Sequence, residues 1–102
     1  MVDINTILKR GEELKASDAH FICGLKPYLR INRDLIELVD QPVLTESDMW
    51  DIYDYFLSGN LEKDKRFKET KILDCSAEFN DIRLRVNISY ADGVPVITTR
   101  LI

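Results

Sequence analysis

The sequence has few of the residues from which metal centres, disulfide scaffolds and membrane spans are built. Its 102 residues include two cysteines and one histidine, without a recognisable zinc-ligand spacing. Cys23 and Cys75 lie far apart in apolar segments, which favours free buried thiols over a disulfide. There is no apolar run of about eighteen residues, and Asp3, Lys9 and Arg10 interrupt the amino-terminal stretch. We therefore expect a cytoplasmic protein with neither a signal peptide nor direct membrane insertion.

The sequence also lacks the motifs of an independent enzyme. Neither GxxxxGK[ST] nor GxGxxG occurs, so this chain cannot cradle a nucleoside triphosphate by itself. His20 has no evidently oriented nucleophile beside it, and the neighbouring Ser17 and Asp18 are typical backbone caps at a strand start. We expect His20 to be structural, and we expect no catalytic residue and no metal site in this chain.

The charges of one sign are confined to part of the chain. The net charge of -4 argues against nucleic acid or an anionic membrane as a partner. Between Asp34 and Glu62 there are eight acidic residues and no Lys or Arg, whereas residues 1–33 and 63–102 are each net positive by two. Such a block is most often a solvated helix face. The alternative is a two-sided molecule whose acidic and basic surfaces meet neighbours in an assembly.

Hydrophobic periodicity predicts the element order α-β-β-β-α-α-β-β-β. The helices are one capped by Asp3, one capped by Thr45 with Asp48 in a capping box, and one over 61–68. The strands are predicted over 19–23, 28–31, 35–39, 75–79, 82–90 and 96–102. Antiparallel runs of strands with helices between them indicate a single α+β domain, with the helices packed on one face of a six-stranded sheet.

The last two strands form a predicted hairpin with arginines on its polar face. A four-residue loop over 91–94 gives a register that pairs Ile88 with Ile97, Leu84 with Leu101 and Arg85 with Arg100. Like charges directly opposite each other are unfavourable. A sheet that tolerates them suggests a polar face that meets an anion or an acidic partner, and a solvated arginine face is the alternative. Arg83 shares this face.

Five segments, in this order along the chain, resemble the amino-terminal domain of the secretion ATPases. They are Ala-Ser-Asp-Ala-His at 16–20, Gly-Leu-Lys-Pro at 24–27, Leu-Arg-Ile-Asn at 29–32, Arg-Val-Asn at 85–87 and Arg-Leu at 100–101. Within that group, the Gly-Leu-x-Pro turn and the start without a preceding domain resemble the type IV pilus retraction ATPases of the PilT type. The resemblance covers essentially the whole chain. It departs from the family at Arg33, where a glycine is usual, and at Ala19, where a larger aliphatic residue is usual.

The resemblance implies one PAS-like domain over 1–102, the first half of a protomer in a hexameric ring that hydrolyses ATP with Mg²⁺. The catalytic P-loop half would follow and is absent from this chain. Arginines of the family's amino-terminal domain approach the triphosphate, and the matching positions here are Arg85 and Arg100, whereas Arg83 matches no motif position. The implied partners are the catalytic half, neighbouring protomers of the homohexamer and the pilus machinery at the inner membrane. The implied output is pilus disassembly and twitching motility.

Two other interpretations remain open at this point. The same family domain could belong to a pilus-assembly or type II secretion ATPase, which extends a filament. The chain could also be a standalone PAS-like sensor that binds a small ligand in its core.

Overall fold

A computed structural model describes residues 2–102, which form three helices and a six-stranded sheet. The elements are α1 (Ile4–Glu13), β1 (Asp18–Phe21), β2 (Tyr28–Ile31), β3 (Asp34–Glu37), α2 (Glu46–Leu57), α3 (Leu61–Thr70), β4 (Leu73–Phe79), β5 (Ile82–Ala91) and β6 (Val94–Leu101). The strand order is β3-β2-β1-β6-β5-β4 and each neighbouring pair is antiparallel. The α+β class and the predicted element order are confirmed. Across residues 2–102 no helix is both long and apolar enough to cross a membrane.

Each helix begins at a side chain that accepts a backbone N–H. The Asp3 carboxylate accepts from the Thr6 amide at 3.2 Å, and Asn60 accepts from the Lys63 amide at 3.0 Å. At α2 the predicted capping box is complete, with the Asp48 amide donating to Thr45 Oγ1 at 3.1 Å and the Thr45 amide donating to Asp48 Oδ2 at 2.9 Å. These bonds satisfy amides that lack an intrahelical partner, so the helix starts follow from the sequence.

Some element ends differ from the prediction. Strand β1 ends at Phe21 because the next residues turn, with the Leu25 amide donating to the Ile22 carbonyl at 3.1 Å. Cys23 therefore lies outside the strand and is half-buried, while Cys75 is buried in β4, and both are free thiols. Helix α3 continues to Thr70, where Lys71 closes it in a left-handed conformation at φ 64°.

The first hairpin turns at Asn32 and Arg33, which have φ values of 50° and 75°. Two left-handed residues in succession match the twist of a two-residue hairpin, although a residue with a Cβ adopts this conformation at a cost of ~1 kcal/mol. The Arg30 guanidinium donates to the Arg33 carbonyl at 3.0 Å. The hairpin therefore forms with Arg33 where the family usually has glycine.

The terminal hairpin has the register predicted from the sequence. Ile88 lies opposite Ile97, Leu84 opposite Leu101 and Arg85 opposite Arg100. The connection is tighter than the predicted loop, because Ala91 and Val94 pair with each other and Asp92 and Gly93 alone make the turn.

The core lies between the helices and one face of the sheet. Fully buried side chains on this face include Phe21, Val86, Ile88 and Ile97, and the helices contribute Ile7, Leu8, Met49 and Ile52. Successive strand residues point to opposite faces, so the arginines of β5 and β6 face away from the helices. We call this second surface the open face, because most of its side chains are exposed or half-buried in the described chain.

Candidate functional site

Four charged residues form one row across the centre of the open face. The strand pairings place Arg30 of β2 opposite Asp18 of β1, Asp18 opposite Arg100 of β6, and Arg100 opposite Arg85 of β5. The row brings together residues from both ends of the chain. It therefore depends on β1 pairing with β6, which no local sequence pattern specifies.

The two predicted arginines each meet a carboxylate of this chain. Arg85 Nη2 donates to Asp74 Oδ2 at 2.9 Å, and Arg100 Nε lies 3.5 Å from Asp18 Oδ1. These contacts offset the repulsion between the facing guanidinium groups. The sequence suggested that an anion or an acidic partner explains why the sheet tolerates the two facing arginines. The structure supplies two carboxylates of the chain itself, so an external anion is not required. Both arginine side chains stay accessible, at 56% exposed for Arg85 and 71% for Arg100.

Asp18 is the residue that sequence reasoning missed. It was expected to cap the backbone, but its side chain lies between Arg30 Nε at 3.7 Å and Arg100 Nε at 3.5 Å. Ser17 Oγ donates at 2.8 Å to Asp18 Oδ2, the oxygen that faces Arg30, and Asp18 is 8% exposed. A carboxylate this buried is stable when it is paired and hydrogen-bonded. Its neighbours come from strands far apart in sequence, so the local pattern carried no signal of this role.

A groove of about 450 Å³ runs along this part of the open face. Its lining residues are Asp18, Asp74, Arg85, Asn87, Thr98, Arg100 and Ile102. The planar guanidinium groups offer donors suited to phosphate or carboxylate oxygens. In residues 2–102 there is no group of three or more His, Cys, Asp or Glu side chains that could hold a metal ion.

Arg83 lies on the same face and strand as Arg85 but outside the groove. It is exposed and stands opposite Glu78 of β4. This placement agrees with its prediction as a solvated residue, and it makes Arg83 a matched control for Arg85.

His20 lies on the open face between Tyr28 and Thr98. Its Nδ1 is 3.4 Å from Thr98 Oγ1, while its Nε2 is buried without a partner among the described residues. Burial lowers the pKa of His20, and the nearby Asp18 opposes that shift. The hydroxyl of Ser17 is bonded to Asp18 instead of the imidazole, so the geometry shows no nucleophile and base pair here.

Three solved structures of ATPases each contain a region similar to this chain. The chain is similar to the pilus retraction motor PilT, crystallised with bound ADP, with a TM-score of 0.87 and 25% identity over 98% of this chain and 29% of that one. It is also similar to the ATPase DotB of Legionella pneumophila, with a TM-score of 0.78 and 24% identity over 97% of this chain and 28% of that one. For the ATPase DotB of Yersinia pseudotuberculosis the TM-score is 0.76 and the identity 18%, over 97% of this chain and 29% of that one. No protein-family model and no curated protein sequence matches the chain.

These similarities confirm the resemblance to the amino-terminal domain of PilT-type ATPases that the sequence motifs predicted. The two DotB structures, at the lower identities, show the shared fold alone. The chain spans less than a third of the length of each of these three ATPases.

Proposed function

We propose that this chain is the non-catalytic amino-terminal domain of a type IV pilus retraction ATPase. The observation that carries the proposal is the similarity to the PilT motor along 98% of this chain. Fold alone does not establish function, but the chain also has two exposed arginines side by side at the motif positions that the resemblance singles out. In this proposal a catalytic P-loop half, encoded after Ile102, holds ATP and Mg²⁺ in the cytoplasm.

The arginines give the domain its part in ATP turnover. Arg85 and Arg100 lie directly opposite each other on two hydrogen-bonded strands, so both guanidinium groups can approach one polyphosphate. Permanently charged donors held in place near a transferring phosphoryl group stabilise the charge that develops there. ADP bound to the similar PilT motor supports a nucleotide in the longer protein.

The charge distribution supports assembly into a homohexameric ring. Helix α2 carries much of the acidic block and packs on the helix-covered side of the sheet, whereas Arg85 and Arg100 lie on the open face. The acidic residues of α2 and the exposed pair Arg85 and Arg100 thus lie on opposite sides of one domain, an arrangement that suits head-to-tail contacts around a ring. Neighbouring protomers, the catalytic half and the pilus machinery at the inner membrane are the proposed partners, and twitching motility is the proposed output.

The test is ATP turnover of the full-length protein carrying Arg85→Ala or Arg100→Ala. We expect each substitution to lower turnover by about 100-fold, as for loss of one charge-stabilising donor. Arg83→Ala removes an exposed arginine from the same face and should leave turnover unchanged. Wild-type turnover in both Arg85→Ala and Arg100→Ala would remove the role assigned to these residues. A reading frame without GxxxxGK[ST] after Ile102 would remove the whole proposal.

A second candidate function belongs to the same fold. The alternative is that the domain belongs to a pilus-assembly or type II secretion ATPase, which the sequence motifs leave open beside retraction. A further domain encoded upstream of Met1 would favour that function, and loss of pili in a gene deletion would support it. Abundant, non-retracting pili in the deletion would support retraction.

A standalone sensor gains no support, because the space between sheet and helices is filled by fully buried side chains such as Phe21, Met49 and Ile52.

A further inference from the structure

We propose that Asp74 is a displaceable counterion of Arg85, which a polyphosphate must replace before it can bind this arginine. The proposal rests on the proposed function and assigns a role to a residue outside the family motifs. In this arrangement the ion pair between Asp74 and Arg85 weakens nucleotide binding, because it must break before the nucleotide contacts Arg85. The second carboxylate of the groove, Asp18, remains paired with Arg100.

The two carboxylates differ in how firmly they are held. The Asp18 side chain is 11% exposed and contacts Arg30, Arg100 and Ser17. The Asp74 side chain is 55% exposed, lies on the edge strand β4, and contacts one charged group in the described chain, Arg85. Moving Asp18 would break three contacts at a buried position, while moving Asp74 breaks one contact at the surface.

The two carboxylates also contact different nitrogen atoms of their arginines. Asp74 binds Arg85 Nη2, a terminal nitrogen of the guanidinium group, at 2.9 Å. Asp18 approaches Arg100 at Nε, 3.5 Å away, and within residues 2–102 the terminal nitrogens of Arg100 have no hydrogen-bond partner. A phosphate that binds an arginine through its terminal nitrogens therefore competes with Asp74 but not with Asp18.

The strengths of the competing contacts favour exchange. An exposed single ion pair is weak because solvent screens it, and both side chains lose conformational freedom to form it. A polyphosphate brings several negative charges and meets two arginines at once, since Arg100 lies beside Arg85. Asp74 would then face a like charge and swing away. A singly charged carboxylate lacks this advantage, so Asp74 also selects against weakly charged anions.

Binding of a non-hydrolysable ATP analogue to the full-length protein tests this proposal. Asp74→Asn removes the charge at nearly constant size, and we expect it to tighten binding by about fivefold, the equivalent of one surface ion pair. Glu78→Gln is the matched control, because Glu78 is an exposed carboxylate on the same face of β4, four residues after Asp74 and opposite Arg83. It should leave the dissociation constant unchanged.

A double variant separates the possible results. If Asp74 acts through Arg85, the gain from Asp74→Asn disappears in the Arg85→Ala background. A gain that persists there, or no gain in the single variant although Arg85→Ala weakens binding, overturns the counterion role and leaves the proposed function intact. No weakening by Arg85→Ala and Arg100→Ala contradicts the proposed function itself, and the counterion role with it.

Discussion

The two faces of the sheet differ in what their side chains do for the molecule. Along β5, Leu84, Val86 and Ile88 are buried against the helices, while Arg85 and Asn87, which alternate with them, are exposed. Burying an aliphatic side chain of this size contributes about 1.5–3 kcal/mol, against about 1 kcal/mol or less for an exposed ion pair. The helix-covered face therefore stabilises the fold, and the open face can carry facing arginines at little cost.

Truncation of a buried residue on β5 gives the largest effect. Ile88→Ala leaves a cavity between β5 and its partners, since Ile88 is fully buried opposite Ile97 and Leu73. We expect the free energy of unfolding to fall by about 2–5 kcal/mol. Urea unfolding of the 102-residue chain, followed by circular dichroism, measures this loss.

The matched variant on the other face is Arg83→Ala on the same strand. Arg83 is exposed and has Glu78 as its cross-strand neighbour, so its removal should change the free energy of unfolding by ~0.5 kcal/mol or less. Equal losses of unfolding free energy in Ile88→Ala and Arg83→Ala would contradict the conclusion that the helix-covered face stabilises the fold more than the open face does.

The features that the sequence predicted correctly are those that local patterns specify. The capping box at Thr45 and Asp48 joins residues three apart in the chain. The register of the terminal hairpin was predicted correctly because alternation along β5 leaves one register that buries the apolar set, although the turn is Asp92 and Gly93 alone and not the predicted loop over 91–94. The opposition of Arg85 and Arg100 follows from that register, so it could be predicted as well.

The sequence did not predict which carboxylates contact the two arginines. Asp18 reaches Arg100 because β1 and β6 pair, although they come from opposite ends of the chain. Asp74 reaches Arg85 from β4, but Ser76 is the residue directly opposite Arg85, so the contact is diagonal. Periodicity shows which face a side chain occupies, but not which strands are neighbours or which diagonal contact forms.

On the helix-covered face, a substitution with a smaller expected effect tests a buried hydroxyl group. Thr99 is fully buried between Ala19 and Val86, and its hydroxyl has no hydrogen-bond partner among the described residues. Thr99→Val removes a buried polar group at similar volume, and we expect it to raise the free energy of unfolding by about 1 kcal/mol. Thr98→Val, at the half-buried adjacent position on the open face, removes the hydroxyl that contacts His20 Nδ1 at 3.4 Å and should lower the free energy of unfolding instead. A loss of stability in Thr99→Val would show that this hydroxyl is satisfied in solution.

On the open face, His20 should make a still smaller, pH-dependent contribution to the free energy of unfolding. Burial lowers the pKa of His20 below its ordinary value of 6.5, with Asp18 opposing the shift and Arg30 adding to it. The unfolded chain then binds a proton more readily than the folded chain, so this contribution is complete above about pH 6.5 and is lost as the pH falls through the lower, folded pKa. His20→Gln should flatten the dependence of unfolding free energy on pH between pH 7 and 5. Parallel wild-type and His20→Gln profiles over this range would mean that the imidazole is solvated and that its pKa is the same in the folded and unfolded chain.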